Sequence, residues 1–203
     1  FPNPTLNFIN FSNNSTLEFV DISSLNSNSI TTLTFTNNNN LESVDISSLN
    51  LNSTTTLVFA NNPVLNTLDI SDNYLECFDI SNMPSLESFD CSNNLLEQLN
   101  TKNGNWVNGI DIYAQTNNLT CVEVDNLGYA NTNWINTFDS FVTFSTNCNY
   151  PGPCETVSAI QEHTTNKELL KVTDLLGRET KQTNQPLFYI YDDGTVEKRI
   201  VIE

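Results

Sequence analysis

The stretch L-E-S-F-D-C-S-N-N-L-L, Leu86 to Leu96, decides the fold. It fits the template L-x-x-L-x-L-x-x-N-x-L, with Phe89 and Cys91 in the strand slots and Asn94 in the turn. Side chains alternate across a strand. Phe89 and Cys91 therefore share one face, and Ser88, Asp90 and Ser92 share the other. The Asn94 amide is suited to satisfy backbone groups that the turn exposes. One such strand cannot bury its apolar face alone and needs copies stacked on it.

The copies come in two series. The first is Val20–Ile22, Val44–Ile46, Leu68–Ile70, Phe89–Cys91 and Ile110–Ile112, at offsets of 24, 24, 21 and 21 residues. The second is Ile9–Phe11, Leu33–Phe35, Leu57–Phe59, Phe78–Ile80, Leu99–Thr101 and Val122–Val124, at offsets of 24, 24, 21, 21 and 23. Two independent series with nearly one period, in the range of roughly 20–29 residues, carry the leucine-rich-repeat signature. The expected fold is mainly β: a leucine-rich-repeat solenoid of about six coils of 21–24 residues, two short strands each, with a C-terminal cap. At roughly 4.8 Å per rung, its sheets run about 25–30 Å. Each inward Leu, Ile, Val or Phe contributes about 1.5–3 kcal/mol when buried. Stability comes from stacking on neighbours, so the ends need caps.

Charge divides the chain. Of its 203 residues, 24 are acidic and 7 are Lys or Arg, a net charge of −17. Residues 1–155 hold 16 acids and a single base, Lys102, whereas residues 156–203 hold 8 acids and 6 bases. Asn falls from 32 to two across the same point, the two being Asn166 and Asn184. The acidic part argues against nucleic acid or an anionic membrane as a partner, since phosphate binding needs clustered Lys and Arg. No apolar run is long enough to span a bilayer. Phe1 opens almost directly into a repeat, and a further cap or coils are expected upstream. The domain organisation is then 1–125 solenoid, 126–150 cap, 151–160 linker with Pro151, Gly152 and Pro153, and 161–203 a second domain. Asn14-Ser-Thr16, Asn52-Ser-Thr54 and Asn118-Leu-Thr120 match the glycosylation pattern, as an Asn- and Thr-rich chain does by composition alone.

The cap region, L-T-C-V-E-V-D-N-L-G-Y-A-N-T-N-W-I-N through T-F-S-T-N-C, resembles the cap closing leucine-rich repeats in Bacteroidetes surface proteins. Trp134, Phe138, Phe141 and Phe144 are expected to cover the end of the core. Cys121 and Cys148 bracket it, and in an extracellular chain they are expected to pair. Cys148 with Cys154 is the rival pairing. Cys91 sits in an inward slot as a buried thiol, and Cys77 in an outward slot as a free one. At the C-terminus, K-E-L-L-K-V-T-D-L-L-G-R-E followed by P-L-F-Y-I-Y-D-D-G-T-V-E-K-R-I-V-I-E resembles the type A C-terminal sorting domain of the type IX secretion system. Longer members open with an Asn-Pro box, which is absent at the start of this domain before Gln161, Pro2-Asn3-Pro4 lying far upstream. The resemblance implies a small antiparallel β-sandwich-like domain that serves as an export signal. It implies the type IX translocon and an outer-membrane shuttle β-barrel as partners, and a final location outside the cell or on its surface. It assigns the signal to Lys171, Asp174, Gly177, Arg178, Glu179, Tyr191, Asp193, Gly194, Thr195 and Lys198. Gly194 follows Asp193 in a hairpin turn that favours positive φ.

The sites within the solenoid are weaker. Asp21, Asp45, Asp69, Asp90 and Asp111 are expected to form an outward column, beside Ser23, Ser47, Ser71, Ser92 and Tyr113, with Glu18, Glu42 and Glu87 nearby. Carboxylates about 4.8 Å apart repel by roughly 1 kcal/mol in water, a cost a wet surface tolerates. The column is either a solvated stripe or a surface for a divalent cation or a cationic partner. Calcium takes oxygen ligands, but no D-x-D-x-D-G loop is present, so no cofactor is assigned. His163 is the single histidine and lies near the linker, which excludes a Ser-His or Cys-His dyad in the solenoid. No P-loop and no CxxC pair is present. The expected function is therefore binding or adhesion rather than catalysis, toward an unnamed protein or glycan ligand. Two alternatives stay open: a calcium-dependent polysaccharide-binding module, and an accessory domain of an enzyme lying upstream.

Overall fold

The computed structural model describes residues 6–25, 29–152, 154, 169–173, 186–191 and 196–200. The chain divides into two compact units, Phe1–Ile160 and Gln161–Glu203. The first carries short strands β1 (Phe8–Asn10), β2 (Phe19–Asp21), β3 (Thr32–Thr34), β4 (Ser43–Asp45), β5 (Thr56–Val58) and β6 (Thr67–Asp69). It continues through β7 (Cys77–Asp79), β8 (Ser88–Asp90), β9 (Gln98–Asn100), β10 (Asp111–Tyr113), β11 (Cys121–Glu123), α1 (Leu127–Asn133) and β12 (Thr143–Ser145). In the second unit β13 (Leu169–Thr173), β14 (Pro186–Tyr191) and β15 (Val196–Ile200) make an antiparallel sheet in that order.

The first unit is a β-solenoid of about six turns with little helix. Alternate strands stack in parallel. β2, β4, β6, β8 and β10 form one five-stranded sheet, in which Val20, Val44, Leu68, Phe89 and Ile112 lie in register. The intervening strands form two sheets, β1-β3-β5 and β7-β9-β11-β12. Their inward residues meet in one continuous core, which includes Leu33, Leu57, Phe78, Leu99 and Val122, all fully buried. Phe11, Phe35 and Phe59 stack along the core with ring centroids 5.4 and 4.9 Å apart. Then the offset between successive strands falls from 24 to 21 residues. There β5 and β7 belong to different sheets, and Phe59 meets Phe78 edge-on at 6.5 Å and 71°. The core stays continuous across the break.

Short strands joined by tight turns leave many backbone groups inside the coil with no strand partner, and asparagine supplies the partners. The buried Asn94 carbonyl oxygen accepts from Leu75 N–H of the preceding coil at 3.0 Å. Its amide donates to the Ile70 and Cys91 carbonyls at 3.0 and 3.2 Å. Asn73 and Asn117 repeat this arrangement toward Leu49, Leu51 and Leu96. Asn14, Asn38 and Asn62 form a second ladder, in which Asn14 and Asn38 N–H donate to the amide oxygen one coil on. Asn13, Asn37 and Asn61 all adopt positive φ, near 60°, a conformation Asn tolerates better than most side chains.

The C-terminal end of the core is closed by α1 and the segment after it. The Asn126 side chain caps α1 by accepting from Tyr129 N–H at 2.9 Å, as expected of a helix N-cap. Trp134 donates its indole N–H to the Ile110 carbonyl at 3.0 Å and packs on Phe138 and Phe144. Phe141 departs from the expectation: it is 61% exposed and covers nothing. At the opposite end Ile9, Phe11, Leu17, Ile22 and Leu25 are only partly buried.

Inward and outward slots should respond differently to truncation. Leu68→Ala should cost about 2–5 kcal/mol. Asn94→Ala leaves the buried Leu75 N–H without its acceptor, at about 1–3 kcal/mol, while the Ile70 and Cys91 carbonyls keep donors in Asn73 and Asn117. Asp69→Ala takes the acceptor from Ser71 N–H but also removes a half-desolvated charge, and should cost less than Leu68→Ala. Urea midpoints of the three variants check the assignment, and a midpoint for Asn94→Ala near wild type would contradict it.

Candidate functional site

The outward face of β2-β4-β6-β8 carries the aspartates. Each carboxylate is held by the serine two residues on, in a side-chain-to-backbone turn. Ser23, Ser47, Ser71 and Ser92 donate their N–H to Asp21, Asp45, Asp69 and Asp90 at 2.8–3.0 Å. The hydroxyls of Ser23, Ser47 and Ser92 donate to the same oxygens. The aspartates therefore have a structural task, which is to close the turn leaving each strand. Asp79 does the same for Ser81 on the other side of the solenoid.

Register corrects the fifth member of the column. Asp111 pairs with Ser88, and Tyr113 stands opposite Asp90. Asp111 is exposed on the same sheet but in the neighbouring column, and Gln115, not Tyr113, follows Ser92. The offset from Phe89 to its partner Ile112 is 23 residues, not 21. Both Ile110 and Ile112 are buried, so the triplet Ile-Asp-Ile imitates a strand one slot early. Asn117, 23 residues after Asn94 and in the same bonding role, marks the true register.

Electrostatics grade along the stripe. Asp21 lies at the exposed end, and its hydrogen bonds from the Ser23 hydroxyl and N–H hold its pKa below the ordinary 3.8. Half-buried Asp69 is pushed above that value, mainly by desolvation, with Asp90 and Asp45 adding to it. Among the described residues no three His, Cys, Asp or Glu side chains come together as a metal-binding group.

A second feature lies on the outward face of β7, β9 and β11, and composition does not announce it. Residues 147–152 together with Cys154 strap across these strands. Cys121 is disulfide-bonded to Cys148, and Cys77 to Cys154. The expected free thiol at Cys77 is thus corrected, and so is the rival pairing of Cys148 with Cys154. Cys77 and Cys154 are 77 residues apart in sequence, and only the stacking of β7 beneath the strap joins them. Cys91 is the remaining thiol, buried. Burial pushes its pKa well up, with Asp90 and Asp69 adding to the effect, so it stays protonated and unreactive.

Between the two disulfides Tyr150 enters the sheet itself. Thr101 N–H donates to the Glu123 carbonyl at 2.8 Å as a regular ladder bond. Two residues earlier the equivalent bond would join Leu99 N–H to the Cys121 carbonyl. The Tyr150 hydroxyl occupies that place, accepting from Leu99 N–H at 3.1 Å and donating to the Cys121 carbonyl at 2.9 Å. Glu123 anchors the strap as well. Burial opposes its ionisation, but the Lys102 ammonium at 2.7 Å and the Cys148 N–H at 3.0 Å hold its carboxyl below the ordinary range. Beside the strap opens a cleft of about 420 Å³, lined by Asp79, Gln98, Asn100, Asn149 and Tyr150 among others.

The C-terminal residues singled out by sequence fall differently. Lys171 lies on β13 opposite Ile190, Tyr191 on β14 opposite Leu169, and Lys198 on β15 opposite Phe188. Asp174, Gly177, Arg178, Glu179, Asp193, Gly194 and Thr195 lie outside the described residues. No helix among the described residues is long and apolar enough to cross a membrane. No protein-family model, curated protein or solved structure matches the chain.

In an NMR titration Asp21 should titrate below 3.8 and Asp69 above it. A raised carboxyl pKa means that ionisation opposes folding, a penalty absent well below the ordinary value and full above the folded one. Asp69→Asn, whose amide oxygen still accepts from Ser71, should therefore raise the urea midpoint at neutral pH but not near pH 2–3. Tyr150→Phe should cost about 1–3 kcal/mol by leaving Leu99 N–H and the Cys121 carbonyl unpaired. Amide exchange at Leu99 should accelerate with it.

Proposed function

We propose that this chain is a leucine-rich-repeat binding or adhesion protein, exported through the type IX secretion system and acting outside the cell or on its surface. Residues 161–203 serve as its address, and the solenoid meets the partner. The translocon and an outer-membrane shuttle barrel engage the address only during export. The observation that carries this reading is the sorting-domain-like sequence K-E-L-L-K-V-T-D-L-L-G-R-E…D-D-G-T-V-E-K-R-I, which falls within a compact unit of its own. Export of a folded solenoid calls for a module that can be read separately. The two disulfides support the same reading, because such bonds persist in oxidising surroundings outside the cytoplasm.

The solenoid's surface chemistry supports a binding rather than a catalytic role. Its carboxylates are spaced along a sheet and tied to serines. Asp69, pushed up by burial, sits in that open row rather than in an apolar pocket of the kind that tunes a catalytic acid. The long outward faces offer what repeat proteins use for recognition, an extended and regular surface.

The test compares export in a cell that carries the secretion system. The full chain should appear at the surface or in the medium, and a chain ending at residue 160 should remain in the periplasm with its solenoid folded. Equal appearance of both forms outside the cell would overturn the assignment of residues 161–203.

A further inference from the structure

We propose that the cleft beside the strap is a binding site for a neutral oligosaccharide segment, an inference that rests on the reading of the solenoid as a binding module. The cleft measures about 420 Å³, within the range of roughly 300–1,000 Å³ typical of small-ligand sites. Its floor is made by the outward residues of β7, β9 and β11, and its wall by the strap. The ends of that wall are covalently fixed, Cys148 to β11 and Cys154 to β7. Tyr150 fixes its middle through the β9–β11 ladder. A site held in this way loses little conformational freedom when it is filled.

The lining selects the ligand class. Its charged groups are already engaged in hydrogen bonds within the solenoid. Asp79 accepts from Ser81 N–H at 2.7 Å and from the Asn100 amide at 3.2 Å. Glu123 accepts from Lys102 and from Cys148 N–H. The Lys102 ammonium is in turn spent on Glu123 and the Thr146 carbonyl. A cationic ligand would have to compete with the hydrogen bonds that Asp79 and Glu123 already accept, and an anionic one meets both carboxylates while the Lys102 ammonium is engaged by Glu123. An apolar ligand finds no aliphatic wall, because Phe78 turns its ring into the core. The groups left over are amides. Among the described residues the side chains of Gln98 and Asn149 make no hydrogen bond of their own, and both line the cleft. An amide both donates and accepts. So does a sugar hydroxyl, and neighbouring ring hydroxyls match such amides in pairs.

The experiment uses the full, oxidised chain and a panel of neutral, acidic and amino-bearing oligosaccharides, with binding followed by NMR chemical-shift perturbation and calorimetry. Neutral members should bind and shift the Gln98 and Asn149 side-chain amides. The interaction should be insensitive to chelator and nearly insensitive to salt. The double variant Gln98→Ala, Asn149→Gly should weaken binding at least tenfold with an unchanged urea midpoint, since glycine accepts the positive φ of residue 149. Binding confined to acidic or amino-bearing members, neutral binding undiminished in the double variant, or no binding across the panel would each overturn the proposal. Cell-surface adhesion separates this from the wider reading. If the double variant adheres as wild type does, the cleft fails and the binding module stands; if the wild-type chain does not adhere, the wider reading fails.

Discussion

Each coil turns its backbone inward at positions where no strand lies alongside. A buried N–H or carbonyl without a partner costs about 1–3 kcal/mol, so every additional coil would lose stability at its corners. Asn73, Asn94 and Asn117 remove that loss by reaching from one coil to the backbone of the one before. The leucines and phenylalanines can stack only because those corners are satisfied. The asparagine richness of the solenoid is thus less a mark of low complexity than the hydrogen-bonding half of its core. The aspartates play the matching part at the outer face, each holding the turn that follows its strand.

This division of labour explains which features were legible in the sequence. Strands of three residues with one central buried side chain, spaced by 21–24 positions, leave a periodic trace that needs no tertiary information. The trace became ambiguous where two isoleucines in alternation, Ile110 and Ile112, were both buried. There the alternation pattern admitted two registers, and only the asparagine in the turn distinguished them. The break between β5 and β7 left its mark as a change of period, but that mark did not reveal that the sheet divides there.

The strap was opaque for a different reason. Cys77 and Cys154 belong to segments related only by the stacking of coils, and a separation of 77 residues has no signature of its own. Tyr150 gave no signal either. A tyrosine beside a Pro-Gly linker looks like any solvent-facing aromatic, yet its hydroxyl replaces a main-chain bond between β9 and β11. The cleft inherits this opacity. Its amides come from strands and strap together, and asparagine is too common in this chain for any one to stand out.

The Cys77–Cys154 bond also determines how the solenoid carries tension. A pull applied at residue 154 enters the fold at β7 through the disulfide rather than through the cap. The intervening loop, with a sequence separation of 77, is removed from the load path. At about 3.4 Å per residue, some 250 Å of chain contour cannot pay out until the bond is reduced. Coils four to six and their cap are thereby shielded from a force that would otherwise peel them away in order from the C-terminal end. A molecule held through its N-terminal coils and dragged from its other end would yield first in the coils that precede β7.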